Sequence, residues 1–296
     1  MKIGYLGPKG SFTYSAVKNY FNEGDWSPYQ ALTNLIDAQI NDAIDYAMVP
    51  IENSIEGSVL PTLDHVYETL PTIQGEIVLP IKQQLMVHPK HQQMWQEVTK
   101  ICSHPQALAQ SQVFLKQQFP DVEIEQMGST AQGAQQVAEH PEQKIAAIGP
   151  KEAAEQFGLT IVQQDIQSIR NNETRFWLLG SSPMSSKLPV STYKATLFVD
   201  LPENRPGALY QVLAVFAEQK LNLTKIESRP QKTSLGEYFF VIEVEIEQAD
   251  TKLNEAIKLL EQRAFPVQLI GEYPVYRSRE DKKATYRKKI KAAEPR

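Results

Sequence analysis

Cysteine is nearly absent from this chain of 296 residues: Cys102 stands alone, which excludes an internal disulfide and fits a reducing compartment. Long apolar runs are missing as well. No window approaches the ~20 continuous apolar residues that a membrane-crossing helix needs. The chain opens on a strand-like Lys2-Ile3-Gly4-Tyr5-Leu6 with no charged leader and apolar stretch, so a cytoplasmic protein with no membrane partner is expected. There is no Gly-x-x-x-x-Gly-Lys-Ser/Thr loop, no cysteine cluster and no Gly-x-Ser-x-Gly elbow around a serine nucleophile. Neither His88 with His91 nor His65 or His140 makes a metal-ligand arrangement, so no metal and no cofactor are expected.

Positive charge is scarce except at one end. The net charge is -5, yet Arg277 to Arg296 hold nine Lys or Arg against Glu280, Asp281 and Glu294, a surplus of six, and the rest of the chain carries minus eleven. So acidic a body is a poor partner for nucleic acid, and a basic run without apolar period reads as a solvated tail. With 42% hydrophobic residues the chain can build about two domains of roughly 100–200 residues each.

Short apolar runs alternate with helical-period segments through the first part of the chain. Ile3 to Leu6, a helix from about Ser11, a helix around Asn34 to Ala43 and Tyr46 to Ile51 begin the series. Ile77 to His88, Lys100 to Ser103, Val122 to Gln126, Lys144 to Ile148, Leu159 to Val162 and Thr174 to Leu179 continue it, with helices after Pro105 and Ser129 and over Lys151 to Phe157. This is an α/β pattern. Ser181 to Lys187, rich in Ser and lacking apolar period, marks a linker with a boundary near residue 185. Beyond it the order is strand (Lys194 to Leu201), helix (Gly207 to Gln219), strand (Leu223 to Ser228), strand (Tyr238 to Ile246), helix (Lys252 to Arg263) and strand (Val267 to Val275). That βαββαβ order, with Leu209, Val212, Leu213 and Phe216 on one helix face, predicts an α+β ferredoxin-like domain. Its free edge or face favours pairing with another copy.

Five polar stretches fall at predicted strand–helix punctuation, where open α/β sheets bind ligands. In Gly7-Pro8-Lys9-Gly10-Ser11-Phe12-Thr13 the helix start can take a carboxylate, or Ser11 can simply cap the helix. Val49 to Gly57 ends a buried strand in Glu52, Asn53 and Ser54, which either face a ligand or cap the next helix. Ser103-His104-Pro105-Gln106 precedes Gln110, and Gln106 and Gln110 share a helix face. Here His104 is either a satisfied buried histidine or part of a site. Ser129-Thr130-Ala131 repeats the helix-start pattern. Asn172-Glu173-Thr174-Arg175-Phe176 places a guanidinium beside a hydroxyl and an aromatic ring, suited to a carboxylated cyclic substrate or to a solvent ion pair at a strand edge.

Six stretches in order resemble one family, the prephenate dehydratases with an appended ACT domain. They are Gly7 to Phe12, Val49 to Ser54, Ser103 to Gln106, Asn172 to Phe176, Arg205 to Leu209 and Asn222 to Pro230. The resemblance implies a catalytic domain over residues 1–181 similar to the type II periplasmic binding-protein fold. One lobe takes about 1–78 with 165–180 and the other 79–164. A linker (182–192), an ACT regulatory domain (193–276) and the basic tail (277–296) follow. It further implies a lyase that converts prephenate to phenylpyruvate in phenylalanine biosynthesis under feedback by L-phenylalanine. Arogenate dehydration, or aromatic-acid sensing without catalysis, is the alternative. By this likeness Thr174 serves the leaving hydroxyl, Arg175 a substrate carboxylate or the fixing of its strand, and Phe176 the packing of the cleft. Ser11, Thr13, Asn53, Ser54, Ser103 and Gln110 are candidate substrate contacts. Gly207, Ala208 and Leu209 with Glu227, Ser228, Arg229 and Pro230 line an effector site between two copies of a homodimer or homotetramer.

Overall fold

The computed structural model describes residues 1–184, 186–201, 206–232, 237–247 and 251–277. Ser185 of the expected linker, Arg205 of the fifth matching stretch and the basic tail beyond Arg277 lie outside the described residues.

The first lobe is laid down by β1 (Lys2–Leu6), α1 (Phe12–Tyr20), β2 (Asp25–Tyr29), α2 (Leu32–Ile40), β3 (Tyr46–Asn53), β4 (Gly57–Ser58), α3 (Leu60–Thr69) and β5 (Ile73–Pro80). The chain then crosses over and builds the second lobe. Its elements are β6 (Gln84–Val87), a 3-10 segment (Pro89–Glu97), β7 (Lys100–Ser103), α4 (Pro105–Gln110), α5 (Gln112–Gln118), β8 (Glu123–Gln126), α6 (Thr130–Glu139), β9 (Ile145–Gly149), α7 (Lys151–Phe157) and β10 (Thr160–Gln163). Strand β11 (Glu173–Gly180) returns to the first lobe. The C-terminal part is β12 (Val190–Asp200), α8 (Ala208–Glu218), β13 (Asn222–Pro230), β14 (Tyr238–Ile246), α9 (Thr251–Gln262) and β15 (Val267–Arg277), the expected βαββαβ order.

Both lobe sheets follow one plan. The first runs β5-β11-β3-β1-β2 and the second β10-β6-β9-β7-β8. In each, the strand that has just arrived from the other lobe, β11 or β6, inserts antiparallel to its neighbours. The sequence pattern merged β5 and β6 into one strand over Ile77 to His88. The chain instead breaks after Pro80 and sends the two halves into different sheets, because an apolar run cannot reveal which sheet each half joins. Strand β2 escaped the pattern altogether: Asp25 to Tyr29 has no apolar run and contains Pro28, tolerated because β2 is an edge strand.

The C-terminal strands do not form a separate sheet. Val275, Tyr276 and Arg277 of β15 pair in parallel with Glu76, Ile77 and Val78 of β5, joining both units into one ten-stranded sheet among the described residues. A single core cluster accordingly holds Leu35, Leu63, Val66 and Trp177 together with Phe198, Phe239, Val241 and Tyr273. Helix α3 covers the face of the C-terminal sheet that its own helices leave open. Tyr67 stacks on Phe239 with ring centroids 3.6 Å apart and donates a 2.9 Å hydrogen bond to Asp200. The linker is also held down: Met184 and Leu188 pack with the Tyr20 cluster, and Lys187 Nζ donates to the carbonyls of Lys18 and Phe21 at 2.6 and 2.9 Å. One core is therefore shared across the linker, while Ala195, Val212, Phe216 and Leu260 belong to a further core of the C-terminal unit alone.

Candidate active site

A cleft of ≈ 360 Å³ separates the two lobes. Its first wall is built by strand ends and the turns that follow: Leu6 and Gly7 at the end of β1, Asn53 and Glu56 to Val59 around β4, and Thr174 and Phe176 on β11. The opposite wall carries Gln83 from the crossing, His104 to Gln110 on α4, and Gly128 to Thr130 at the start of α6. Ser11 caps α1, its Oγ accepting from the Tyr14 N–H at 3.3 Å, and Ser129 caps α6, accepting from the Gln132 N–H at 3.1 Å. Two helix starts thus meet one cavity from opposite lobes, each offering free N–H groups and the positive end of a helix dipole. Such an arrangement suits a ligand with two carboxylates. Gly10 makes the lobe approach possible: its φ is +86°, and a Cβ there would lie 3.2 Å from Ala153 Cα across the gap.

Thr174 lies opposite Asn53 in the pairing of β11 with β3. The Asn53 Nδ2 donates to Thr174 Oγ1 at 2.8 Å and to Asn172 Oδ1 at 2.9 Å, while its Oδ1 accepts from the N–H groups of Ile55 and Glu56 at 3.0 and 3.2 Å. Two backbone donors on Oδ1 settle which end of the amide is which. Thr174 therefore accepts from Asn53 and keeps its own O–H free to donate into the cleft. Asn53 lines the same wall, but its polar atoms are committed to holding Thr174 and the turn.

Successive side chains of a strand point to opposite faces. Thr174 and Phe176 both reach the cleft, so Arg175 points away from it; of the two roles expected for it, fixing the strand is the one its contacts serve. Its Nε and Nη2 meet Glu76 at 3.1 and 2.8 Å, Nη1 meets Glu52 at 2.6 Å, and Nη2 meets Glu243 of β14 at 2.5 Å. Burial alone would lower the Arg175 pKa, but the Glu76 and Glu243 carboxylates outweigh it and hold the guanidinium above its ordinary range. Glu243 is fully buried; Arg175 and Lys194 overcome the desolvation that would raise its pKa and keep it below the usual carboxylate range.

The prephenate dehydratase family profile matches residues 3–184, and the ACT domain profile matches 195–261. The chain belongs to the prephenate dehydratase family. The prephenate dehydratase of Bacillus subtilis (strain 168) is 43% identical over 284 residues, covering 93% of this chain and 99% of that protein. A crystal structure of the prephenate dehydratase of Arthrobacter aurescens superposes with a TM-score of 0.80 at 32% identity, over 92% of this chain and 90% of that one. GqqA, described as a quorum quenching acylase, reaches a TM-score of 0.81 at 24% identity over 93% of this chain and 98% of that one, a likeness of fold alone. The chain is a lyase of phenylalanine biosynthesis with an ACT domain.

Within the prephenate dehydratase cleft, Ser11, Thr13, Asn53, Gln110, Thr174 and Phe176 all reach the cavity. Gln110 Oε1 accepts from Gln83 Nε2 at 3.1 Å, which leaves its amide nitrogen for a ligand. Ser54 and Ser103 do not line it. Ser54 Oγ accepts from the Glu173 N–H at 3.0 Å and reaches Asn172 Oδ1 at 3.2 Å, so it braces the turn into β11. Ser103 is fully buried and donates to the Ile148 carbonyl at 2.6 Å, tying β7 to β9. Gln83 and Ser58 line the cleft without having been expected to. The polar Gln83-Gln84 pair interrupting an apolar run was the available signal for the first, and nothing in the local pattern marks the second.

In the ACT domain, Gly207 begins α8 with φ +86°, followed by Ala208 and Leu209. Strand β12 ends at Asp200, opposite Phe239, which in turn faces Arg229, so the α8 start and the Ser228–Pro230 end of β13 share one end of the sheet. Alternation on β13 then divides the candidate effector residues. Glu227 and Arg229 turn toward the catalytic lobe: Glu227 accepts from Ser58 Oγ and pairs with Lys225 at 3.0 Å, and Arg229 pairs with Asp64 of α3. Ser228 and Pro230 stay exposed.

Proposed function

We propose that the interlobe cleft binds prephenate and that Thr174 donates its hydroxyl proton to the departing C4 oxygen. The observation that carries this reading is the 2.8 Å Asn53 Nδ2 to Thr174 Oγ1 bond, which orients the threonine as a donor toward the cavity. In the reaction the bond from the ring to its carboxylate breaks, CO2 leaves, and the electron pair moves into the ring. The C4–O bond breaks, and the oxygen leaves as water after taking one proton. Aromatisation drives both cleavages, so no strong acid is required. A threonine hydroxyl is a weak acid, and its part is to orient and relay a proton that comes ultimately from solvent. The starts of α1, with Ser11 and Thr13, and of α6 receive the two carboxylates. Gln110 hydrogen-bonds the substrate, and Phe176 excludes water beside the ring.

Residues 1–181 are the catalytic unit, 182–192 the linker and 193–276 the regulatory unit, in a cytoplasmic homodimer or homotetramer. L-Phenylalanine is the effector, its carboxylate at the α8 start beside Gly207, Ala208 and Leu209, with Ser228 and Pro230 lining the far side. The Arthrobacter aurescens enzyme was crystallised in complex with L-Phe, which supports the effector's identity. Glu227 and Arg229 connect this end of the domain to the catalytic lobe.

Phenylpyruvate formation followed in the ultraviolet tests the reading. Thr174→Val should lower kcat by on the order of 10² to 10⁴-fold, the range for a positioned proton donor, with the fold and phenylalanine binding kept. Near-normal kcat in that variant would refute the assignment. Faster turnover of arogenate than of prephenate would change the substrate.

A further inference from the structure

On the face of β11 turned away from the cleft, four charged side chains are packed together. Arg175 and Lys194 are 16% and 12% exposed, and Glu76 and Glu243 are 0% exposed. Lys194 Nζ lies 3.1 Å from Glu76 and 3.2 Å from Glu243, so every member of the group is paired. Buried ion pairs of this kind add little stability over apolar packing of the same volume, because desolvation consumes the Coulombic gain. Their geometry is the more informative feature. Glu76 sits where β15 joins β5, Glu243 comes from the ACT domain, and both grip the residue that follows Thr174.

The grip is paired with a second contact through the strand. Glu52 and Asn53 are neighbours on β3, and Arg175 and Thr174 are neighbours on β11. Glu52 holds Arg175 on one face while Asn53 holds Thr174 on the other. The β3–β11 register shifts between Arg175 and Phe176, an irregularity of the kind that re-aims side chains beside active sites.

We propose that Glu243 of the ACT domain is a positioning residue for the dehydration: by holding Arg175 on one face of β11, it fixes where Thr174 presents its hydroxyl on the other. This rests on the assignment of Thr174 to the leaving hydroxyl. The regulatory domain thereby completes the catalytic strand, and a shift of β14 reaches the reacting group through one side chain.

Glu243→Gln in the full-length chain keeps the side chain's shape and removes its charge. Misplacing a reacting group by about 1 Å costs on the order of 10²-fold, and since Glu76 and Glu52 still hold Arg175, a fall in kcat on the order of 10-fold is expected, with KM changing much less. In a Thr174→Val background the same substitution should cause no further fall, because the group it positions is gone. Unchanged kcat in Glu243→Gln, an effect on KM alone, or an equal loss in both backgrounds would overturn the positioning role. Should circular dichroism show that Glu243→Gln does not fold, the charge-balanced Glu243→Gln/Lys194→Gln chain takes its place in the same comparison. Near-normal kcat in Thr174→Val alone would instead refute the assignment of Thr174, so the two failures are distinct.

Discussion

Arg229 of β13 meets Asp64 of α3 in a two-point contact, Nε to Oδ1 at 2.9 Å and Nη2 to Oδ2 at 3.0 Å. One planar fork thus fastens the Ser228–Pro230 end of β13 to the helix that covers the shared core. Both side chains are about five-sixths buried, so the pair is only weakly screened by solvent. Asp64→Asn keeps the shape but leaves Arg229 without its counter-charge. A loss of about 2 kcal/mol is expected, below the range for fully buried pairs, and would be read as a lower urea midpoint. Asp64 does not line the cleft, and it meets the proposed effector end only through Arg229. Half-inhibition should therefore need roughly 5-fold more phenylalanine while uninhibited kcat stays nearly the same. An unaltered inhibition curve would show that this contact transmits nothing.

Truncation after Met184 should not release a sound catalytic domain. It would uncover the β5 edge, strip Phe198, Phe239, Val241 and Tyr273 from the core they share with Leu63, Val66 and Trp177, and leave Glu76 and Arg175 without Lys194 and Glu243. An unpaired strand edge beside exposed apolar surface favours aggregation. The expected product is an aggregating or partly unfolded fragment with kcat far below that of the whole chain, checked by size-exclusion chromatography and circular dichroism. A monodisperse, fully active fragment would mean that the shared sheet contributes little to the catalytic lobe.

The cleft was readable in the sequence wherever a strand ended in a helix cap, because the local pattern then specifies both the element and the direction of its free N–H groups. Ser11, His104 and Ser129 are of this kind. Arg175 shows the limit. Its neighbours in sequence left a substrate ligand and a strand-fixing role both open; alternation along β11 sends it to the face away from the cleft, and its partner Glu243 lies 68 residues away on a different domain. Glu227 and Arg229 were visible as a motif, but their attachment to Ser58 and Asp64 depends on how the ACT sheet docks on α3, which no local period encodes. The parallel pairing of β15 with β5 was hidden for the same reason: periodicity marks a strand and says nothing of its neighbour.

Asn53→Asp isolates the hydrogen-bond direction on which the proposed chemistry depends. The substitution is nearly isosteric, and the carboxylate can still accept from the Ile55 and Glu56 N–H groups, so the turn should survive. It cannot donate to Thr174 Oγ1. An ionised aspartate would instead accept the threonine proton and turn the hydroxyl away from the cleft, and it would also face Asn172 Oδ1 without a proton to share until that amide rotates. kcat should fall on the order of 10²-fold, comparable to the loss of one positioned donor, while KM rises less, since Asn53 makes no proposed contact with the substrate. Protonation restores a donor at this position, so the defect should shrink as the pH falls toward the carboxyl pKa. Steady-state kinetics of the variant and the parent from pH 8 to 5 test this. A defect that is constant across that range, or one confined to KM, would mean that Asn53 contacts substrate directly and does not orient Thr174.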